Sequence, residues 1–127
     1  MKAMKHGLIL YAHGARDPRW AEPFAAVASR VRERSPGLEV RLAFLELMAP
    51  DLAEAGRSLA ETGCTRVDVL PLFLGAGGHV RKDIPAGIAA LEAAWPAVRW
   101  RLHAAVGEDE TLIEAMATIA LARTAVE

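Results

Sequence analysis

Two histidines follow the ends of separate apolar runs, and their types and positions could support metal chemistry. His13 follows the run 7–12, and His79 follows a glycine-rich stretch after the run 66–73. Glu46 closes another such run. Neutral imidazole is a good ligand for cobalt, nickel and iron(II), and a carboxylate can complete such a site. Imidazole also titrates near neutral pH, so the same residues could accept protons.

Apolar runs alternate with amphipathic stretches along the chain, which predicts four strand–helix units in series. The predicted strands are 7–12, 39–47, 66–73 and 98–103. The predicted helices begin at Asp17–Pro18 or near Pro23, at Asp51, after His79 and at Asp109. Pro71 indicates the end of a strand or an unpaired edge, because proline cannot donate to a ladder.

Strands that alternate with helices predict an α/β fold with a parallel sheet and helices on both faces. The natural choice for four strands is a doubly wound, flavodoxin-like sheet of order 2-1-3-4, as a single domain over residues 1–127. Ligands bind such sheets beyond the carboxyl ends of the strands, where the strand order reverses. That point lies between strands one and three, so His13, His79 and Glu46 should share one edge.

Two expectations concern the helices. Pro85 should fall in the first turn of the third helix, because a proline further along removes a hydrogen bond. The fourth helix should turn an apolar face inward, towards the sheet. The residues expected on that face are Leu112, Ile113, Met116 and Ile119.

The loops that follow the first and third predicted strands also carry features suited to a large acidic ligand. Glycines at 75, 77 and 78 let backbone approach a flat molecule closely and expose amides to acidic groups. Arg16, Arg19, Arg81 and Lys82 flank the loops and would give the crevice a positive rim. Each feature also has an alternative interpretation. The histidines could be capped structural residues at strand ends, and the glycines could form a simple turn or a phosphate-binding loop. The basic residues could be solvated charges without a ligand.

Composition excludes several other classes of protein. The net charge is −1, without the basic excess typical of nucleic-acid binding. Cys64 is the single cysteine, which excludes an intrachain disulfide and a multi-cysteine zinc site. No apolar stretch approaches the length of about 20 residues that a membrane helix requires. We therefore expect a cytoplasmic protein without a nucleic-acid or membrane partner.

Three segments resemble the sirohydrochlorin chelatase family of the small CbiX type. They are 12–18 (AHGARDP), 43–46 (AFLE) and 71–85 (PLFLGAGGHVRKDIP). The likeness runs from about Leu8 to Leu112, in the same order and at matching intervals. The last block is the most specific of the three.

The resemblance implies a flavodoxin-like domain that forms a homodimer and inserts cobalt, or in related members nickel or iron, into sirohydrochlorin without ATP. The metal is then a substrate, and no cofactor is permanently bound. His13 is implied as metal ligand and proton acceptor, His79 as the second ligand, and Glu46 as a catalytic or substrate-contacting carboxylate. The implied contacts with the tetrapyrrole are Phe73, Leu74, Gly75, Ala76, Gly77 and Gly78. From the charge pattern we add Arg16, Arg81 and Lys82 as substrate-binding residues.

Two positions depart from the family pattern, and other functions stay open. Ala15 stands where the family usually has serine, and His103 lies in a stretch that is usually small residues. A histidine phosphatase would carry arginine at position 12, which is alanine here. A non-catalytic carrier of metal or tetrapyrrole would show the same residues as a chelatase. The sequence leaves cobalt, iron and nickel open as the metal.

Overall fold

Four parallel strands and four α-helices alternate along the chain, as the sequence predicts. The computed structural model describes residues 4–75 and 77–125, apart from the side chain of His79. The strands are β1 (Lys5–Ala12), β2 (Glu39–Phe44), β3 (Cys64–Pro71) and β4 (Arg99–Leu102). The helices are α1 (Glu22–Arg34), α2 (Leu52–Thr62), α3 (Gly78–Ala94) and α4 (Glu110–Arg123). Short 3-10 turns, Pro18–Ala21 and Val106–Glu108, precede α1 and α4.

The sheet has the order β2-β1-β3-β4, with every neighbouring pair parallel, which confirms the predicted topology. In the centre of the sheet, Leu10 of β1 lies opposite Leu42 of β2 and Leu70 of β3. Because β1 and β3 are adjacent while their connections run in opposite directions, the switch point lies between their carboxyl ends.

The predicted length of the second strand is wrong. Strand β2 ends at Phe44 rather than at 47, because Leu45 donates its N–H to the carbonyl of Ala12 at 2.8 Å and the chain then turns. Leu47 takes a left-handed conformation, with φ at 65°, which no strand accommodates. Strand β3 spans Cys64–Pro71 and not 66–73, so it begins and ends two residues earlier than predicted. Pro71 is its last residue, which agrees with the interpretation of this proline as a strand end.

Capping residues and a proline account for the starts of α1 and α2, and a glycine accounts for the end of α2. Asp17 caps the turn before α1, and Pro23 is the second residue of α1, where a missing N–H costs nothing. Asp51 and Glu54 form a reciprocal capping box at α2. Helix α2 ends at Gly63, whose φ of 102° favours glycine.

The expectation for Pro85 is wrong. Helix α3 begins at Gly78, so Pro85 lies in its interior, beyond the first turn. Proline there removes the backbone bond to the carbonyl of Arg81, four residues earlier. Arg81 and Pro85 both line a cavity that is described below.

The two faces of the sheet carry cores of unequal size. Helices α2 and α3 cover the larger core, which contains Ile9, Tyr11, Leu59, Val67, Val69, Ile84, Leu91 and Trp100, among others. On the opposite face the fully buried residues are Leu10, Ala28 and Val40, beneath α1. Cys64 is buried within the larger core, as its sequence context indicates.

The predicted inward face of α4 is wrong for the single chain. No residue of α4 is buried, and Ile113, Met116 and Ile119 are exposed, while Leu112 is half-buried. Its apolar residues occur on several sides of the helix, so periodicity gives the helix no single direction to face. Among the helices in the described part of the chain, none is both long and apolar enough to cross a bilayer.

Candidate functional site

The carboxyl ends of β1 and β2 bring His13 and Glu46 together. His13 Nδ1 lies 3.3 Å from Glu46 Oε1, and the two side chains are 40% and 43% exposed. The contact is long for a hydrogen bond and open to solvent, so it orients the imidazole more than it stabilises the fold. With Nδ1 turned to the carboxylate, Nε2 is available as an electron-pair donor.

Gly14 allows this contact to form. A Cβ at position 14 would lie 1.7 Å from the carbonyl oxygen of Glu46 and 2.9 Å from its carbonyl carbon. The backbone segments that follow β1 and β2 are therefore in direct contact, and only glycine at position 14 leaves room for this contact. The sequence analysis did not single out Gly14 for this reason, because the close approach depends on how the two exits turn.

Two aromatic residues hold His13 from other sides. The ring of Phe73 lies 4.4 Å from the imidazole, centroid to centroid, at an interplanar angle of 34°. The indole N–H of Trp20 donates to the carbonyl oxygen of His13 at 2.7 Å. Trp20 in turn packs edge-on against Phe24 at 5.6 Å. The bond from Trp20 to His13 has no signal in the sequence, because it depends on the path of the segment after β1.

His79 lies in the first turn of α3, at the same edge of the sheet as His13. The preceding loop leaves β3 at Pro71, and Gly77 caps the helix with extended backbone. The side chain of His79 and the whole of Ala76 lie outside the described residues. The pairing of the two imidazoles therefore stays a prediction. Among the described residues, no three His, Cys, Asp or Glu side chains form a group suited to a metal ion.

A cavity of about 330 Å³ opens beside this edge, between α3 and the segment after β4. Its walls include Phe73, Gly75, Arg81, Leu102 and His103. The volume is at the small end for sites that enclose an organic ligand. A molecule the size of a tetrapyrrole would therefore extend beyond this cavity, towards the open surface at His13.

The predicted substrate contacts divide into two groups. Phe73, Gly75 and Arg81 line the cavity, whereas Leu74 is exposed and is absent from the cavity wall. Gly77 and Gly78 form the start of α3 and have open space where a Cβ would lie. Their backbone therefore stays accessible to a flat ligand.

The positive rim contains three exposed residues, Arg16, Arg81 and Lys82. Within the described residues, none of these three side chains forms an ion pair or a hydrogen bond, so their charges are free to meet a ligand. Arg19 differs, because its guanidinium pairs with Asp17 at 2.8 Å. That ion pair holds the pKa of Asp17 below its ordinary value and supports the interpretation of Arg19 as part of the helix start.

Three carboxylates place negative charge near Tyr11, at the carboxyl end of β1. Burial raises the pKa of Tyr11 to about 12, and the carboxylates of Asp51, Glu46 and Asp83 add to the shift. The phenol is 5% exposed and therefore stays neutral at any physiological pH. Of these carboxylates, Glu46 also contacts His13 and therefore favours a cation at this edge of the sheet.

His103 belongs to a separate polar cluster. Its Nε2 lies 2.8 Å from Oδ1 of Asp68, and Nε2 of His6 contacts the other oxygen of the same carboxylate. Burial alone would raise the pKa of Asp68, but the hydrogen bonds from His103 and His6 outweigh burial and hold it below its ordinary value. His6 is half-buried. His103 touches the cavity, yet its imidazole is committed to Asp68.

Comparison with known proteins assigns the chain and its fold to a family. The CbiX family model matches residues 7–120, which is most of the chain. The chain belongs to the CbiX family. A crystal structure of the CbiX protein from Marinobacter aquaeolei VT8 is 36% identical, with a TM-score of 0.81, and the match covers 93% of this chain and 96% of that one.

Several curated relatives are named for metal insertion. The sirohydrochlorin cobaltochelatase of Methanosarcina acetivorans is 35% identical over 88 residues, which are 69% of this chain and 67% of the relative. The sirohydrochlorin cobaltochelatase of Methanopyrus kandleri is 34% identical over 88 residues, 69% of this chain and 61% of the relative. The chain thus matches about three fifths to two thirds of these relatives' lengths.

The sirohydrochlorin chelatase SirB from Bacillus subtilis subspecies spizizenii, solved in complex with cobalt, has the same fold. Its TM-score is 0.81 at 25% identity, and the match covers 93% of this chain and 50% of SirB. One chain of the present length therefore corresponds to half of SirB.

Proposed function

We propose that this chain forms a single domain that inserts a divalent metal ion into sirohydrochlorin. Cobalt is the metal that we propose first. The observation that carries the proposal is the oriented imidazole of His13 at the switch point of a CbiX fold. Its Nδ1 faces Glu46, the ring of Phe73 packs against the imidazole, and Nε2 makes no hydrogen bond to any residue that the structure describes. Similar proteins from Methanosarcina and Methanopyrus are named sirohydrochlorin cobaltochelatases, which supports the choice of reaction.

The reaction replaces two pyrrole protons with one cation. We propose that His13 Nε2 binds the incoming metal ion, with His79 as the second ligand. Few ligands suit a metal that must leave, since a complete set of strong ligands would retain it. Once the ion passes to the ring nitrogens, His13 accepts one of the two released protons and Glu46 stabilises the resulting imidazolium, while the second proton passes to solvent.

The substrate is proposed to lie across the start of α3. Sirohydrochlorin carries acetate and propionate groups. Arg16, Arg81 and Lys82 make no ion pair within the described residues and supply positive charge at the edge where these groups would reach. The glycine-rich loop and Phe73 would contact the face of the macrocycle. Binding energy from the rim would then hold the ring over His13.

The homodimer and the cytoplasmic location are part of the same proposal. The match to half of SirB supports a second copy, because a single chain supplies one such domain. The small cavity also favours a partner surface that would cover the rest of the ligand.

The direct test replaces His13 and His79 with alanine, one at a time, and follows cobalt insertion through the absorbance of sirohydrochlorin. We expect loss of turnover in both variants, with partial rescue of His13→Ala by added imidazole. Full activity in both variants would reject the two-histidine mechanism. Many turnovers per protein with excess substrate distinguish an enzyme from a carrier.

A second experiment tests the substrate rim with a matched pair of arginines. Arg81→Gln should raise KM about 5- to 30-fold, the loss expected for one charge-assisted contact. Arg30→Gln removes an equally exposed arginine from α1, on the other face of the sheet, and should leave KM unchanged. Equal KM values for the two variants would contradict the proposed rim.

A further inference from the structure

Leu47 is an apolar residue at the centre of a strained turn beside the proposed site. The N–H of Met48 donates to the carbonyl of Glu46 at 2.8 Å, so residues 46–48 form a three-residue γ-turn. The φ of Leu47 is 65°, and it is the one residue other than glycine with a positive φ in the described part of the chain. A γ-turn centred on positive φ is the rare and strained form, and a bulky side chain is unusual there.

Contacts around the turn maintain this conformation. The N–H of Phe44 donates to the carbonyl of Pro50 at 2.9 Å, which closes the loop that contains the turn. The backbone of Gly14 lies against the same loop, because a Cβ there would be 1.7 Å from the Glu46 carbonyl oxygen and 3.3 Å from the Met48 nitrogen. The turn is therefore fixed against the segment that follows β1. Backbone strain persists where surrounding contacts impose it in this way, and such strain clusters at functional sites.

The fold gains little from the side chain of Leu47. The residue is 63% exposed and belongs to neither of the two cores that the structure describes, whereas Leu45 packs against the larger core. An exposed leucine by itself needs no explanation. A leucine on a backbone that suits glycine or asparagine does need one. Since hydrophobic stabilisation follows the apolar area removed from water, the use of this side chain must come from something outside the single chain.

The order of the sheet places Leu47 on the side of His13 away from the glycine-rich loop. His13 follows β1, which lies between β2 and β3. Phe73 and the glycine-rich loop follow β3, whereas Leu47 follows β2. Neighbouring strands are about 4.8 Å apart, so the ends of β2 and β3 are separated by about 10 Å. A flat macrocycle that extends from the glycine-rich loop across His13 reaches the end of β2.

The surroundings of Leu47 at the end of β2 are polar. Glu46 and Asp51 are both exposed carboxylates in the loop that contains the turn. Carboxylates do not favour the apolar face of a macrocycle, because burial of a charge without a partner costs free energy. Leu47 supplies exposed apolar surface between them.

We propose that Leu47 is a substrate-binding residue of this chelatase, which packs against the apolar face of sirohydrochlorin on the β2 side of His13. The strained turn holds the side chain beside Glu46, and the glycine-rich loop contacts the macrocycle on the β3 side. The proposal rests on the proposed function, since it takes sirohydrochlorin as the ligand. It assigns Leu47 to binding and not to metal or proton transfer.

The test measures the binding of metal-free sirohydrochlorin by absorbance titration, so that it does not depend on metal insertion. Leu47→Asn removes the apolar side chain and supplies a residue that tolerates positive φ. We expect Kd to rise about 5- to 30-fold, from the loss of one partly covered leucine. KM for cobalt insertion should rise in parallel while kcat stays within about twofold of wild type. Tm should not fall, because the new residue suits the backbone.

Two variants serve as controls. Leu47→Met keeps an apolar side chain of similar volume on the same backbone, so Kd should stay within about twofold of wild type. Met4→Asn makes the same kind of change at a residue that is 81% exposed and precedes β1, at the opposite edge of the sheet, and should leave Kd unchanged. Sedimentation equilibrium of Leu47→Asn should give the wild-type mass.

The possible outcomes separate this proposal from the proposed function. An unchanged Kd in Leu47→Asn, in a chain whose wild type inserts cobalt, overturns the substrate contact alone. A lower Tm with unchanged Kd assigns the side chain to the fold, and a lower mass assigns it to a contact between copies; either result overturns the proposal. A wild-type chain that neither binds sirohydrochlorin nor inserts metal rejects the proposed function, and the substrate contact with it.

Discussion

Replacing Gly14 with alanine should damage the proposed site and the fold together. The new Cβ would lie 1.7 Å from the carbonyl oxygen of Glu46. Relief of that overlap requires the two strand exits to separate by roughly 1.5 Å or more, given ordinary van der Waals distances. This movement would displace His13 and Glu46, whose Nδ1 and Oε1 atoms are already 3.3 Å apart.

The expected cost follows from this displacement. Forced insertion of a methyl group into close-packed structure typically costs about 1–3 kcal/mol. For a domain of this size, that loss lowers Tm by about 3–15 °C. A misplacement of about 1 Å at a reacting group can reduce turnover by about 100-fold. We therefore expect both a lower Tm and a large loss of kcat for cobalt insertion.

The assay pairs calorimetry with the absorbance change of sirohydrochlorin, and Gly37→Ala is the control. Gly37 has open space at the position of its Cβ, so its substitution should leave both quantities near the wild-type values. Wild-type Tm and kcat in Gly14→Ala would refute the argument that the exits of β1 and β2 interlock at this position.

Two further predictions follow from single side chains. Trp20→Phe removes the 2.7 Å bond to the carbonyl of His13 and keeps an aromatic ring, so kcat/KM should fall about 2- to 10-fold with little change in Tm; an unchanged kcat/KM would contradict a positioning role for Trp20. For Tyr11, the folded pKa of about 12 lies above the ordinary value of 10.0, so its contribution to stability is complete below pH 10 and is lost as pH rises towards 12. Tyr11→Phe should remove that loss, so urea unfolding at several pH values should show the wild-type chain losing about 2 kcal/mol more than the variant between pH 9 and pH 12; parallel pH profiles would contradict burial of the phenol.

The sequence predicted the sheet and the location of the candidate site well. Alternation of apolar runs and amphipathic stretches specifies parallel strands, and right-handed crossovers leave few possible strand orders. The end of each strand is then known, so the sequence places His13 and Glu46 at one edge of the sheet. The same reasoning places His79 there, but whether its imidazole meets that of His13 stays a prediction.

Other features depend on contacts between segments that are distant in the sequence. The passage of the Glu46 carbonyl beside Gly14, the Trp20 bond to His13, and the two histidines on Asp68 each require the three-dimensional path of a loop or the register of strands. Local residue pattern carries no information about such paths, because the same dipeptide can turn in several directions.

Helix α4 shows most clearly what the sequence determines and what only the tertiary structure determines. Its residues alone indicate a helix that must be covered, since apolar side chains occupy several of its sides. They do not indicate what covers it, because a helix without a single apolar stripe has no preferred direction towards its own core. Only the tertiary structure decides that question: in the single chain no residue of α4 is buried, so its apolar side chains stay exposed.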